Sequence, residues 1–147
     1  MKTVWPALLA KAERTLRDAR LRLGEVNRRR ENALLQEEKV AALLLDYNQQ
    51  LHAVQQREHS PTEVNNYRHF IVQLQELKNR AKYEQQRIEI ECQLARQVLV
   101  SAERERMKID HLATRDQEQK QREEQSRETR SLDAQAIQQH NFRARAS

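Results

Sequence analysis

The chain has 147 residues, of which 33% are charged, 4% are aromatic and one is glycine. Strong helix formers such as Gln, Glu, Arg, Leu and Ala predominate, so the composition predicts an almost entirely α-helical protein. Large apolar side chains are too few for a layered globular core, because many of the 37% hydrophobic residues are alanines. We therefore expect an all-α rod whose core is a narrow seam between helices.

The charge distribution argues against nucleic-acid binding. The net charge is +5, but 27 basic residues are interleaved with 22 acidic ones, and Arg28 to Arg30 form the only basic triplet. No aromatic stacking platform or recognition fold accompanies these charges. We expect no nucleic-acid partner.

Residues for catalysis, metal binding or cofactor binding are not arranged in useful patterns. Cys92 is the only cysteine, which excludes an internal disulfide and favours a small packing residue. Gly24 stands alone, so there is no glycine-rich phosphate loop. The histidines, His52, His59, His69, His111 and His140, lack metal-site spacing. A two-helix rod offers no enclosed pocket, so we predict no enzyme activity, no cofactor and no metal.

Hydropathy predicts a protein that is not inserted in a membrane. The longest apolar run, Val40 to Leu45, is far shorter than the roughly 20 residues that span a bilayer. The opening "MKTVWPALLAK" resembles a signal peptide only faintly, because its apolar part is short, contains Pro6 and continues into a helical repeat. We expect a cytoplasmic location.

The first sixty residues carry a heptad pattern. Stepping by seven gives an unbroken apolar row, consisting of Ala12, Ala19, Val26, Ala33, Val40, Tyr47 and Val54. A companion row three residues earlier consists of Leu9, Leu16, Leu23, Arg30, Glu37, Leu44 and Leu51. Two such rows predict a coiled-coil seam along one helix face.

The stretch "REHSPTEVNNYRHFI", residues 57–71, predicts a break in this helix. Ser60 suits the N-cap, Pro61 suits the first helical position, and Glu63 completes a capping box. These residues favour a turn near 57–61 over a proline kink within one continuous helix.

After the turn, the apolar periodicity resumes. One row consists of Tyr67, Leu74, Ala81, Ile88, Ala95, Ala102 and Ile109, and a weaker row three residues later consists of Phe70, Leu77, Glu84, Glu91, Val98, Glu105 and Leu112. The sequence therefore predicts a long antiparallel two-helix coiled-coil hairpin over residues 1–114.

The two helices match in register when the chain is folded at the turn, because facing residues then have nearly constant number sums. A sum of 118 pairs Leu51 with Tyr67, Leu44 with Leu74, Leu23 with Ala95, Leu16 with Ala102 and Leu9 with Ile109. A sum of 117 pairs Tyr47 with Phe70, Val40 with Leu77 and Ala19 with Val98. Both rows are therefore expected to meet.

Two regions depart from this pattern. In the middle, Arg30 lies diagonally between Glu84 and Glu91, which predicts either a polar layer that fixes register or a place where the helices splay. From about Arg115 the apolar rows fail, so residues 115–147 are expected to form a polar C-terminal helical extension that is weakly ordered, frayed or disordered at its end.

Apolar residues are in excess near the turn. Leu43, Leu45, Ile71 and Val72 lie off or beside the predicted seam. Uncovered apolar side chains favour a protein partner, and the alternative is a locally thicker seam that shelters Leu43 and Ile71.

Around the turn, the sequence resembles a known family. The segments "LLLDYNQQL" and "NNYRHFIVQLQELKNRA", especially Asp46-Tyr47 and the Tyr67, Phe70, Ile71 and Leu74 pattern, resemble the flagellar FliJ family of export-apparatus proteins. The specific part of the resemblance lies within residues 44–81, and the architecture extends it to nearly the whole chain.

This resemblance implies a stalk that sits in the hexameric export ATPase ring and couples the ring to the membrane export gate. It implies partners in the ATPase and the cytoplasmic domain of the gate protein, a possible role in export-chaperone escort, and peripheral association with the inner-membrane export apparatus. It places the gate-binding face at Leu44, Tyr47, Leu51, Phe70, Leu74, Leu77 and Ala81. The ring contacts have no sharp motif, and we expect the arginines Arg14, Arg17, Arg20, Arg104 and Arg106 to provide them.

Two alternatives remain open from the sequence. One is the equivalent stalk of a virulence-type type III secretion injectisome, and the other is a generic structural coiled coil that dimerises through the same rows.

Overall fold

Two long helices make up nearly all of the described chain. The structure is a computed structural model that describes residues 4–146, and it contains no strand within them. Helix α1 spans Trp5–Gln55 and helix α2 spans Pro61–Ala146. The helices pack against each other, which confirms the all-α hairpin. The start of the opening segment, residues 1–3, and the last residue of the predicted extension lie outside the described part.

The reversal between the helices uses the predicted residues. The Glu63 amide donates to Ser60 Oγ at 3.2 Å, and Pro61 is the first residue of α2. The Glu63 carboxylate does not complete a capping box, because it accepts from Arg57 Nη2 at 2.6 Å. Arg57 also donates to the Glu58 carbonyl, so one side chain links the end of α1 to the first turn of α2.

The chain divides into two units, which we describe separately. The first comprises residues 15–102 and contains the turn. Its seam has two clusters of buried residues. One joins Val26, Ile88, Cys92 and Ala95, with Leu23 and Ala33 packed against it; the other joins Leu16, Ala19 and Ala102, with Leu99 packed against it. Nearer the turn, Val54, Val64, Ile71 and Leu74 are buried.

The predicted companion row of α2 is wrong by one residue. Phe70, Leu77 and Val98 are exposed, and the second seam row consists instead of Ile71, Lys78, Gln85, Cys92 and Leu99. The predicted row would have placed three glutamates in the seam, and buried carboxylates are costly. The observed row contains one lysine and one glutamine, whose long aliphatic stems can be covered while their polar ends reach water.

This shift simplifies the register. Leu16 and Ala102 lie in one cluster and Leu23 packs in the cluster of Ala95, as the sum of 118 predicted. The corrected row pairs Ala19 with Leu99 and Val26 with Cys92, and these numbers also add to 118. The separate sum of 117 is therefore unnecessary, although the rings of Tyr47 and Phe70 do lie in contact, with centroids 4.6 Å apart.

The middle of this unit lacks fully buried side chains and contains ion pairs between the helices. No side chain in residues 27–53 or 75–87 is fully buried. Arg30 pairs with Glu89 at 2.8 Å and not with Glu84 or Glu91, whereas Arg29 reaches Glu91 at 2.7 Å. Because these pairs cross between the helices, they favour the polar-layer interpretation.

The second unit comprises residues 4–14 and 103–146 of the described chain. The Trp5 indole N–H donates to Asp116 Oδ2 at 2.9 Å, and Glu13 pairs with Arg106 at 3.7 Å. Trp5 and Leu9 line a shallow groove with Ala113. Helix α2 continues to Ala146, and each of the residues 117–146 is exposed. The predicted boundary near 115 and the fraying of the extension stay predictions.

Candidate protein-interaction surfaces

The seven residues predicted to bind the export gate are not equally accessible. Leu74 is only 3% exposed, so it serves the seam. Four others, Leu44, Tyr47, Leu51 and Ala81, are half-buried. Phe70 and Leu77 are exposed to 39% and 48%. The structure therefore separates seam residues from residues that a partner can reach.

Three exposed residues, Leu43 of α1 and Phe70 and Leu77 of α2, form an apolar edge along one side of the seam. Phe70 and Leu77 each precede a seam residue of α2, and Leu43 precedes the seam residue Leu44 of α1. Arg29 and Glu91 occupy the equivalent heptad positions, and they meet at 2.7 Å across the same side of the seam. We call Leu43, Phe70 and Leu77 the turn-proximal edge.

Aromatic packing supports the turn-proximal edge. The Tyr47 ring lies 4.6 Å from the Phe70 ring and 6.2 Å from the Tyr67 ring, both centroid to centroid and tilted by 52°. Such tilted pairs are favourable beyond the area they bury. The half-buried Tyr47 therefore holds Phe70 in place while part of the Phe70 ring faces solvent.

The apolar residues in excess near the turn are of two kinds, buried and exposed. Ile71 is buried and belongs to the seam, which corrects its assignment as an off-seam residue. Leu43, Leu45 and Val72 remain exposed. The seam itself thus covers Ile71, and the predicted thicker seam that would shelter Leu43 as well is not found.

Sequence reasoning missed a second apolar surface on α2. Tyr83, Ile90 and Leu94 are 56–65% exposed. Their spacings of seven and four residues place them on one helix face, directed away from the seam rows. The signal was present as a helical periodicity, but it lies on the face opposite the heptad rows. We call these three residues the outer stripe.

The predicted ring-binding arginines differ in their pairing. In the unit of residues 15–102, Arg17 and Arg20 are exposed and make no ion pair with any described residue. In the other unit, Arg14 and Arg104 are exposed, and Arg106 pairs with Glu13 at 3.7 Å. The unpaired arginines can bind external carboxylates without losing an internal partner.

One carboxyl group has a shifted pKa. The hydrogen bond from the Trp5 indole lowers the pKa of Asp116, and the Lys120 ammonium at 3.3 Å lowers it further. Asp116 therefore stays ionised to a lower pH than an ordinary aspartate.

The described residues hold no group of three His, Cys, Asp or Glu side chains placed to bind a metal ion. The thiol of Cys92 is buried and donates to Asn27 Oδ1 at 3.2 Å, which confirms a packing role. Over residues 4–146, neither helix is sufficiently apolar along its length to cross a membrane.

Two long helices that pack against each other define the class of this protein as a helical hairpin. The family model described as "Flagellar FliJ protein" matches residues 6–145, nearly the whole chain. The chain therefore belongs to the flagellar FliJ family, which confirms the resemblance and indicates a component of flagellar protein export and not an enzyme family. No individually curated protein and no solved structure matches the chain significantly.

Proposed function

We propose that this protein is a flagellar export stalk, which sits in the hexameric export ATPase ring and binds the cytoplasmic domain of the membrane export gate. The observation that carries this proposal is the turn-proximal edge, because its apolar side chains are exposed on a hairpin of the flagellar FliJ family. Exposed apolar and aromatic groups grouped on one face are typical of protein-binding sites.

The proposed mechanism is mechanical. A two-helix hairpin has different side chains on each face, so it contacts each subunit of a surrounding ring differently. The nucleotide state of a subunit then favours one orientation of the stalk, and the stalk passes this preference to the gate. The protein does not hydrolyse ATP in this mechanism. It works in the cytoplasm, at the inner-membrane export apparatus.

The ring contacts in this proposal are electrostatic. Arg14, Arg17, Arg20 and Arg104 are exposed and bind acidic residues of the ring, while Arg106 exchanges Glu13 for a ring carboxylate. Because exposed ion pairs are screened by salt, we expect this binding to weaken steeply as ionic strength rises.

A second function, the escort of export chaperones, is favoured by the outer stripe. Three large apolar side chains on one helix face suit the apolar face of a partner helix. The outer stripe is separate from the turn-proximal edge, so one molecule can bind a chaperone and the gate through different residues.

The test of the main proposal is a binding assay with the purified cytoplasmic domain of the gate protein. Phe70→Asp and Leu77→Asp place a charge on the turn-proximal edge, where the side chains are already exposed. We expect at least a tenfold loss of gate binding with unchanged helix content by circular dichroism. Leu74→Asp is unsuitable, because a carboxylate at this buried position would unfold the seam.

Ile90→Asp is the matched control, since it adds the same charge at an exposed apolar residue of α2 outside the turn-proximal edge. It should bind the gate domain like the unaltered protein. Full gate binding by both Phe70→Asp and Leu77→Asp would refute the proposed gate contact.

The two alternatives make different predictions. The family match favours the flagellar system over the injectisome, and neighbouring genes for flagellar export components would support that choice. A generic dimeric coiled coil would sediment at twice the chain mass, whereas the stalk is a monomeric hairpin.

A further inference from the structure

Gly24 is the only glycine in the chain, and the fold gives no reason for it. It lies within α1, and no described residue of the protein has a positive φ. A Cβ atom added at Gly24 would meet nothing within 4 Å. Since glycine destabilises a helix interior relative to alanine, the reason for this residue lies outside the chain's own packing.

Arginines predominate around Gly24 on the helix surface, where the one acidic neighbour at a comparable spacing is Glu31, seven residues later. Arg20 precedes it by four residues, Arg28 follows it by four, and Arg17 precedes it by seven, so all three are close neighbours on one face. All three are exposed, and none forms an ion pair with another described residue.

The other arginines of this part of α1 behave differently. Arg22 lies near Glu25 and Glu91, and Arg29 binds Glu91. The hairpin therefore uses some of its arginines for its own ion pairs and leaves those around Gly24 available. Arg17 and Arg20 lie three residues apart, a spacing at which like charges destabilise a helix.

Leu21, three residues before Gly24, completes this surface and is 61% exposed. A depression left by a missing side chain, one exposed leucine and three unpaired arginines suits an acidic protein surface that carries an apolar side chain. A second copy of this chain fits poorly, because three arginines outnumber the single glutamate, Glu31, on each such face. An anionic bilayer requires a wider apolar face, and nucleic acid is usually bound with aromatic stacking, which this face lacks.

We infer that Gly24 marks a docking site where an acidic protein surface approaches the backbone of α1 closely, with Leu21 and Arg28 beside it. This inference rests on the proposed function, because Arg17 and Arg20 belong to the proposed ring-binding set. It adds three residues to that set and assigns a role to the glycine.

The test uses the full chain and the purified export ATPase encoded in the same genome, with binding measured by calorimetry. Gly24→Leu fills the depression, and its Cβ atom meets nothing within 4 Å, so we expect unchanged helix content, a thermal midpoint raised by about 3 °C and at least tenfold weaker ATPase binding. Arg28→Glu should weaken binding by a similar factor. A purely structural role for Gly24 predicts no loss of binding.

Ala42→Leu is the matched control, because Ala42 is an exposed residue of the same helix, away from Gly24. It should bind the ATPase like the unaltered protein. Should Gly24→Leu also bind normally, the inference is overturned while the proposed function stands. If the unaltered protein does not bind the ATPase, both fall.

Two further experiments on Gly24→Leu test whether another partner binds the site at Gly24. A mass in sedimentation that falls from dimer to monomer in Gly24→Leu would identify a second copy of the chain. Loss of flotation with phosphatidylglycerol vesicles in the same variant would identify an anionic lipid surface. Either result would overturn the acidic-protein assignment. If Gly24→Leu lost helix content, Arg28→Glu would decide the outcome.

Discussion

At the scale of single residues, the seam combines small and larger side chains. Among the described residues, Val26 and Cys92 have 0% exposure, four of the other buried residues are alanines, and the buried leucines and isoleucines are 3–7% exposed. Small residues let two helices approach closely, but each one buries little apolar area. Stability therefore depends on correct placement of the few larger seam residues.

The corrected α2 row can be tested with two valines. Val26 is 0% exposed and Val98 is 56% exposed, although both belonged to predicted seam rows. Val26→Ala should reduce the free energy of unfolding by about 2–3 kcal/mol, because it removes two buried methyl groups and leaves a cavity. Val98→Ala should change it by less than about 0.5 kcal/mol. Urea unfolding measures both, and equal losses would restore the predicted row.

Asp116 gives a prediction about pH. Its pKa is lowered in the folded protein by the Trp5 hydrogen bond and by Lys120, so the contact stabilises the fold above the ordinary aspartate pKa. The contact is lost as the pH falls through the lowered folded pKa. Trp5 is the only tryptophan, so its fluorescence should change with a midpoint below the ordinary value of about 3.9.

Two variants control the fluorescence experiment. Asp116→Asn should show the low-pH spectrum at neutral pH, whereas Asp133→Asn, at an exposed residue outside the groove of Trp5, should leave the titration unchanged. A midpoint at or above the ordinary aspartate value would disprove the contact.

At the scale of elements, the heptad pattern predicted α1 almost completely, since its seam rows and its end near the turn follow from apolar spacing and capping residues. The pattern did not identify the second seam row of α2, because the rows that begin three and four residues after Tyr67 both contain apolar and polar residues. The choice depended on whether glutamates or a lysine and a glutamine are better tolerated in the seam. Desolvation of charge, which apolar counting ignores, decided this.

The same reasoning explains which part of the candidate surfaces was predictable. Phe70 and Leu77 were identified through the family resemblance, but only the corrected row shows that they are exposed. Tyr83, Ile90 and Leu94 were missed because a search for seams does not examine the opposite face. Family resemblance thus located the region, and packing determined which side chains remain available.

The last part of α2 is expected to contribute little to the thermal stability of the protein. Residues 117–146 are all exposed, so this segment buries no apolar surface of its own. Removal of residues 121–147 should shift the thermal midpoint by less than about 2 °C. Amide exchange should be much faster in this segment than around the buried residues 88–102. A large loss of thermal stability in the truncated protein would show that the extension supports the fold.

At the scale of the whole molecule, every proposed role requires one chain to fold back on itself at residues 56–60. Gate binding needs Leu43 of α1 beside Leu77 of α2, and the docking site at Gly24 requires that the neighbouring arginines stay free while Arg29 and Arg30 pair across the helices. A dimer of extended helices would bury the same rows between two chains, so only a measurement within one molecule separates these states.

Spin labels on Cys residues at the exposed positions Asp18 and Ser101, in a Cys92→Ala background, provide that measurement. The labelled protein is diluted with unlabelled protein so that only distances within one chain are detected. The hairpin predicts a separation of about 15–25 Å, because packed helix axes lie about 8–10 Å apart. A continuous helix would separate the two positions by about 120 Å, and the absence of any short distance would contradict the hairpin and each role assigned to it.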